Sequence, residues 1–153
     1  MAPVALLKAS GVHSFMSWDH DRLDTLLGHV SRLVEGGQLE RAARRFDDFA
    51  LGLEREMRLE EELLFPLFDA RVGVTTGPTT ALRQEHRLMA RSVGRMRVAL
   101  AEADPAGFHA AHDALMNVIT YHDMKEERVI FAALDHALAP GERAELLARI
   151  ARR

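Results

Sequence analysis

The apolar residues of this chain recur every three or four positions in four long stretches, and this pattern limits the fold more than any other feature. Such spacing places the apolar side chains on one face of an α-helix. The stretches run from about Val12 to Leu33, from Leu39 to Asp69, from Thr79 to Glu102 and from Pro105 to Leu138. Glycine or proline, which end helices, separates them. We therefore predict an all-α fold.

The connections between these stretches are short, which favours an antiparallel up-down-up-down four-helix bundle. The segment Gly141–Arg153 follows Pro140 and has the pattern of a short C-terminal helix. With 153 residues, 48% of them apolar, the chain is long enough for one core. We expect a single domain over residues 1–153, with the bundle core at about 12–138.

The charges and the composition exclude several classes of function. A net charge of −3 gives no basic excess, so we expect no nucleic-acid partner. There is no cysteine, which excludes thiolate metal sites and iron–sulfur ligation. No apolar run approaches the roughly 20 residues of a membrane helix. The segment Met1–Lys8 is too short for a signal peptide, so we expect no membrane association and a cytoplasmic location.

Histidines and glutamates interrupt the apolar face of every predicted helix. They are His20, Glu56, Glu60, His86, His122 and Glu126. A buried carboxylate is costly unless it has a partner or a metal ion. Glu56 and Glu60 are four residues apart, as are His122 and Glu126, so each pair points in one direction.

Counting from the loops places these residues at one height in the bundle. Glu60 and His86 each lie 13 residues from Gly73, at the predicted connection of the second and third helices. His86 and His122 lie 19 and 17 residues from Pro105. At ~1.5 Å of rise per residue, the polar side chains meet in one layer, as a metal site requires.

Three imidazoles and three carboxylates without sulfur suit iron or manganese, and zinc remains an alternative. Six ligands exceed the needs of one tetrahedral ion, and two ions with bridging carboxylates account for the number better. The competing interpretation is a buried polar network that holds no metal.

Four segments resemble the hemerythrin-like proteins with an HHE cation-binding domain: Trp18–Asp24, Glu60–Pro66, Glu85–Arg87 and His122–Phe131. The resemblance covers about Val12 to Leu138. It implies His20, Glu60, His86, His122 and Glu126 as ligands, with Glu60 and Glu126 bridging. It also implies two iron ions with an oxo or hydroxo bridge; manganese or a mixed iron–manganese pair is the alternative.

Two positions depart from the family pattern. Glu56 stands where the family usually has histidine, and Ala90 stands where the oxygen carriers have a second third-helix histidine. Glu56 is expected to bind metal directly, but a place beside the ligands or at the surface stays open. The added carboxylate favours hard, oxidised ions and weighs against reversible oxygen carriage. The missing histidine is expected to leave an open metal position.

We expect reaction with hydrogen peroxide, dioxygen or nitric oxide. Whether the chain is an enzyme stays open; a catalase-like or other di-iron oxidoreductase reaction fits. The alternatives are non-enzymatic O2 or NO binding or sensing, and iron donation for iron–sulfur centre repair. The chain is expected to be a monomer or a weak homodimer.

The remaining polar residues are expected to lie outside the site. His13 shares the face of His20 but is about 10 Å away by helix rise, and His112 is about 15 Å from His122. Surface positions are expected for the acidic residues Asp19, Asp21, Glu61, Glu62 and Glu127.

Overall fold

The computed structural model describes residues 9–73 and 77–153, and these residues are mainly helical with no strand among them. The helices are α1 (Val12–Glu35), α2 (Leu39–Leu59), α3 (Phe65–Val72), α4 (Pro78–Ala101), α5 (Pro105–Lys125), α6 (Ala132–Ala137) and α7 (Pro140–Ala151). Two π-helical segments, Glu60–Leu64 and Glu126–Phe131, join α2 to α3 and α5 to α6 without a break. The described residues thus form four long helices and a short last one, as predicted. No helix in the described ranges is long and apolar enough to cross a membrane.

Glycine, proline and aspartate lie at the ends of the long helices. Gly36 ends α1, and Asp104 caps α5 by accepting a hydrogen bond from the backbone N–H of Gly107. The third long helix begins one residue before the predicted stretch, at Pro78, and Thr79 donates its hydroxyl to Asp69. Residues 74–76 of the preceding loop and the segment Met1–Lys8 lie outside the described residues.

The buried apolar side chains form two clusters. Cluster I includes Leu23, Leu27, Phe46, Leu53, Met89 and Ile119. Cluster II includes Met16, Leu63, Phe65, Leu82, Ile130 and Phe131. α7 covers part of cluster II with Leu146 and Ile150.

Consecutive long helices pass the two clusters in opposite order. The first long helix places Met16 in cluster II and Leu23 in cluster I, whereas the second places Leu53 in cluster I before Leu63 in cluster II. The third long helix places Leu82 in cluster II before Met89 in cluster I, and the fourth places Ile119 in cluster I before Ile130 in cluster II. An antiparallel bundle requires such an order. Asp135 adds a link between chain-distant helices, because its carboxylate accepts hydrogen bonds from the backbone N–H groups that begin α1.

The π-helical segments change which residues face inward. Pro66 lies within the second long helix, which continues to Val72, and the irregular segment precedes the proline. In the fourth long helix, a continuous α-helix would bury Val129, but this residue is 44% exposed. Ile130 and Phe131 are fully buried in its place. A π-turn accommodates one extra residue, so it rotates the following helix face by about one position.

Candidate metal centre

Six polar side chains from the four long helices form one buried cluster, here called the six-residue cluster. Its members are His20, Glu56, Glu60, His86, His122 and Glu126, and each is at most 5% exposed. Along every long helix they lie between residues of cluster I and residues of cluster II. The structure therefore brings together all six side chains that the sequence predicted, in a polar layer between two apolar clusters.

Each π-helical segment begins at a glutamate of this cluster. Glu60 is the first residue of one segment and Glu126 is the first residue of the other. π-turns cost regular hydrogen bonding and occur frequently at functional sites. Proline is not their common cause, because Glu126–Phe131 contains none.

The third and fourth long helices contribute two imidazoles that lie close together. Nε2 of His86 is 3.2 Å from Nε2 of His122. Each of these nitrogens also approaches a glutamate: His86 is 3.1 Å from Oε2 of Glu60, and His122 is 3.0 Å from Oε1 of Glu126. Four potential ligand atoms thus converge at this end of the cluster.

His20 occupies the other end with a different set of neighbours. Its Nε2 atom is 3.6 Å from Oε1 of Glu56 and 3.7 Å from Oε1 of Glu126. Asp123, which was not among the predicted ligands, places Oδ1 at 3.9 Å from the same nitrogen. This end has one imidazole and is surrounded by carboxylates.

The other ring nitrogen, Nδ1, of each of these three histidines contacts a carboxylate. Oε1 of Glu127 is 2.8 Å from His20, Oε1 of Glu61 is 2.7 Å from His86, and Oε2 of Glu85 is 2.8 Å from His122. Such a carboxylate holds the hydrogen on Nδ1 and leaves the Nε2 lone pair free to bind a metal. The three rings are therefore fixed with their ligating nitrogens directed into the cluster.

Glu61 and Glu127 keep 40% and 31% of their side chains exposed, but their contacts with His86 and His20 were not predicted, and the role of Glu85 was missed. Their place in the sequence could have indicated these contacts, since each residue directly follows or precedes a candidate ligand. A neighbour on a helix lies about 100° around the axis and so reaches the flank of the site. Glu85 also accepts a hydrogen bond from Lys125. Although burial acts to raise the pKa of Glu85, the hydrogen bonds from Lys125 and His122 lower it.

Burial determines the protonation of the cluster in the absence of a cation. It lowers the pKa of His20 and of His122, so these rings are neutral near pH 7. It also raises the pKa of Glu56, Glu60 and Glu126 well above the ordinary range. Neutral imidazoles are ready to bind metal, whereas carboxyl groups that retain protons need a nearby cation to release them.

Many buried polar atoms of this region have no hydrogen-bond partner among the described residues. They are Nε2 of His20, Oε2 of Glu56, both carboxylate oxygens of Glu60 and of Glu126, and Oδ1 of Asp123. Buried polar atoms normally have partners. A set of imidazole nitrogens and carboxylate oxygens, so many of them without a hydrogen-bond partner, fits bound metal cations.

The potential ligands fall into three overlapping sets, in each of which the ligand atoms lie within 4.8 Å of one another. The sets are Glu60–His86–His122–Glu126, His20–Glu56–Glu60 and His20–Asp123–Glu126. Glu60 and Glu126 are the members that link the His86–His122 end to the His20 end. Shared carboxylates of this kind are able to bridge two ions.

Four further polar residues were expected to lie outside the metal site, and the structure shows where each one lies. His13 is exposed, and His112 stacks on Phe108 in cluster I, so neither joins the six-residue cluster. Asp21 is exposed, as predicted. Asp19 is not a surface charge: only 13% of its side chain is exposed, and it helps to raise the pKa of Glu56.

Residues 12–134 match the hemerythrin HHE cation binding domain. The chain belongs to this family. The match spans the four long helices and includes the whole six-residue cluster together with Glu61, Glu85 and Glu127. Comparison with curated proteins and with solved structures gave no match. Membership in the family establishes cation binding as the general property of the domain, and the buried histidine–glutamate cluster is the place that fits a cation.

Proposed function

We propose that the six-residue cluster binds two metal ions, most suitably iron, and that the protein uses them in the chemistry of a small oxidant. The four long helices form an antiparallel bundle around this pair. The observation that carries the proposal is the sharing of Glu60 and Glu126 between ligand sets at the two ends of the cluster. Six ligands and two shared carboxylates exceed the needs of one ion.

The side chains of the protein prepare this site in three ways. Glu61, Glu85 and Glu127 hold the hydrogens at Nδ1 of the three histidines and so fix the direction of each Nε2 atom. Clusters I and II exclude water from both faces of the polar layer. Two bound redox-active ions would supply Lewis acidity and electrons for the reduction of an oxidant.

A surface pocket beside His86 supports the access of a small molecule to the site. This pocket of about 320 Å³ is lined by residues that include Met57, Arg58, His86, Arg87 and Ala90. Ala90 occupies the position of the additional histidine of the oxygen carriers. Its short side chain leaves space next to His86, which supports access of peroxide, dioxygen or nitric oxide there.

The test is to add hydrogen peroxide to the iron-loaded protein and follow dioxygen with an oxygen electrode. Disproportionation converts two molecules of peroxide into two of water and one of dioxygen, and we expect repeated turnover in this ratio. His86→Ala serves as the site variant and His136→Ala, at an exposed position, as the matched control. A stable coloured adduct without dioxygen would instead support the binding or sensing alternative. No dioxygen and no spectral change with peroxide, O2 or NO would contradict the proposal.

A further inference from the structure

The two ends of the six-residue cluster offer different ligands. At one end, two imidazoles, His86 and His122, lie with Glu60 and Glu126. At the other end, His20 is the one imidazole among the described residues, and Glu56 adds a carboxylate to the shared ones. The two metal positions are therefore unequal in their ratio of nitrogen to oxygen donors.

Asp123 increases this difference. It follows His122 on the fourth long helix and projects toward His20, whose Nε2 atom is 3.9 Å from its Oδ1 atom. Oδ1 is buried and has no hydrogen-bond partner in the part of the chain that the structure describes. Asp123 forms a compact ligand set with His20 and Glu126. An unpartnered carboxylate oxygen directed at a ligand nitrogen is the arrangement that a metal ion between them would satisfy.

The surroundings of Asp123 also favour a cation. Asp123 and His20 line a pocket of about 260 Å³ between the first and fourth long helices. Three further acidic residues, Asp21, Asp24 and Glu127, line the same pocket, and Arg128 is its only basic member apart from the histidine. An excess of negative charge in a concave surface raises the local concentration of cations. The His20 end thus has its own acidic approach, separate from the pocket beside His86 and Ala90.

We propose that Asp123 is a metal ligand at the His20 position, and that the protein discriminates between its two metal positions through this residue. The inference rests on the proposed dinuclear site. The His20 position, with Glu56, Asp123 and the shared carboxylates, prefers hard ions that favour oxygen, such as Mn²⁺ or Fe³⁺. The His86–His122 position prefers ions that favour imidazole, such as Zn²⁺.

The experiment uses chelated, full-length protein loaded with one equivalent of Zn²⁺ and then titrated with Mn²⁺. Binding is followed through the electron paramagnetic resonance of free and bound Mn²⁺, so no activity measurement is needed. We expect Asp123→Asn to weaken Mn²⁺ binding by more than about tenfold and to change the affinity for the first Zn²⁺ by less than about twofold. Asp113→Asn, ten residues earlier on the same long helix and exposed, is the matched control and should leave both affinities unchanged.

The outcomes separate this inference from the proposed function. If neither metal binds to the wild-type protein, the dinuclear site itself is wrong. If two ions bind and Asp123→Asn affects Mn²⁺ no more than Asp113→Asn does, Asp123 is not a ligand. Retained Zn²⁺ binding shows that the variant is folded. Asparagine removes a buried ionisable group, so we expect the metal-free variant to be at least as stable as the wild type.

Discussion

The Nε2 atoms of His86 and His122 lie 3.2 Å apart, although each ring contacts a carboxylate through its Nδ1 atom. In neutral rings that donate from Nδ1, both Nε2 atoms carry lone pairs, so this contact is not a hydrogen bond. Two lone pairs directed at each other in a buried site are unfavourable unless a cation lies between or beside them. This relationship connects the carboxylates outside the cluster to the metal proposed inside it.

Removal of the Glu85 carboxylate is expected to weaken metal binding. Glu85→Ala frees Nδ1 of His122, so the ring loses its fixed orientation, and we expect a loss of affinity of about 10- to 100-fold. A competition titration against a chelating dye measures this effect. Glu54→Ala is the control, because Glu54 forms an exposed pair with Arg58 on the second long helix. Equal affinities for the two variants would show that Glu85 does not orient His122.

Glu56 is expected to determine how far the site differs from an imidazole-rich one. Glu56→His restores the residue that the family usually has there, and it removes a negative charge from the His20 end. We expect the visible spectrum of the iron-loaded protein to shift and its reduction potential to rise. Glu54→His, one half-turn away and exposed, is the matched variant. An unchanged spectrum would place Glu56 outside the ligand set.

The metal-free protein is expected to lose stability as the pH rises. Burial raises the pKa of Glu60 and Glu126, and it raises the pKa of Asp123 to about 8, so the folded state retains protons that the unfolded state releases. Stability is therefore present at low pH and is lost as the pH rises toward the folded-state values. The lowered pKa values of His20 and His122 act in the opposite direction, but only below their ordinary value of 6.5.

The informative interval is thus from about pH 7.5 to about pH 8, where His20 and His122 are mostly neutral in both states. Denaturant titrations of the chelated protein should give a midpoint that decreases across this interval. The metal-loaded protein should not show this decrease, because its carboxylates are already ionised. A midpoint for the chelated protein that increases with pH would contradict the assigned pKa directions.

The sequence was sufficient to predict the helices and the six-residue cluster, because polar residues on an apolar helical face are conspicuous. It was not sufficient for the π-helical segments. Two residues four apart, such as His122 and Glu126, have the same pattern whether or not the next turn is widened. Glu61, Glu85 and Glu127 escaped prediction for another reason: at the boundary between core and surface, a partly buried carboxylate has the same sequence pattern as a solvated one.

The widened turn after Glu126 can be tested by its effect on packing. A continuous α-helix would bury Val129, whereas the structure exposes it and buries Ile130. We expect Val129→Ser to change the free energy of unfolding by less than about 0.5 kcal/mol. Ile130→Ala should cost about 2 to 5 kcal/mol, because it leaves a cavity in cluster II. Denaturant unfolding of both variants measures the difference, and the reverse order would refute the shifted helix face.

The most direct test of the dinuclear site is the metal content of the protein purified from its native host. We expect two ions per chain, determined by elemental analysis against protein concentration, with iron as the main element. Chelation should remove both, and Glu60→Gln, which alters a shared carboxylate, should lower the content to one ion or fewer. A wild-type protein that binds one ion per chain, or none, would contradict the central claim that Glu60 and Glu126 join two metal positions.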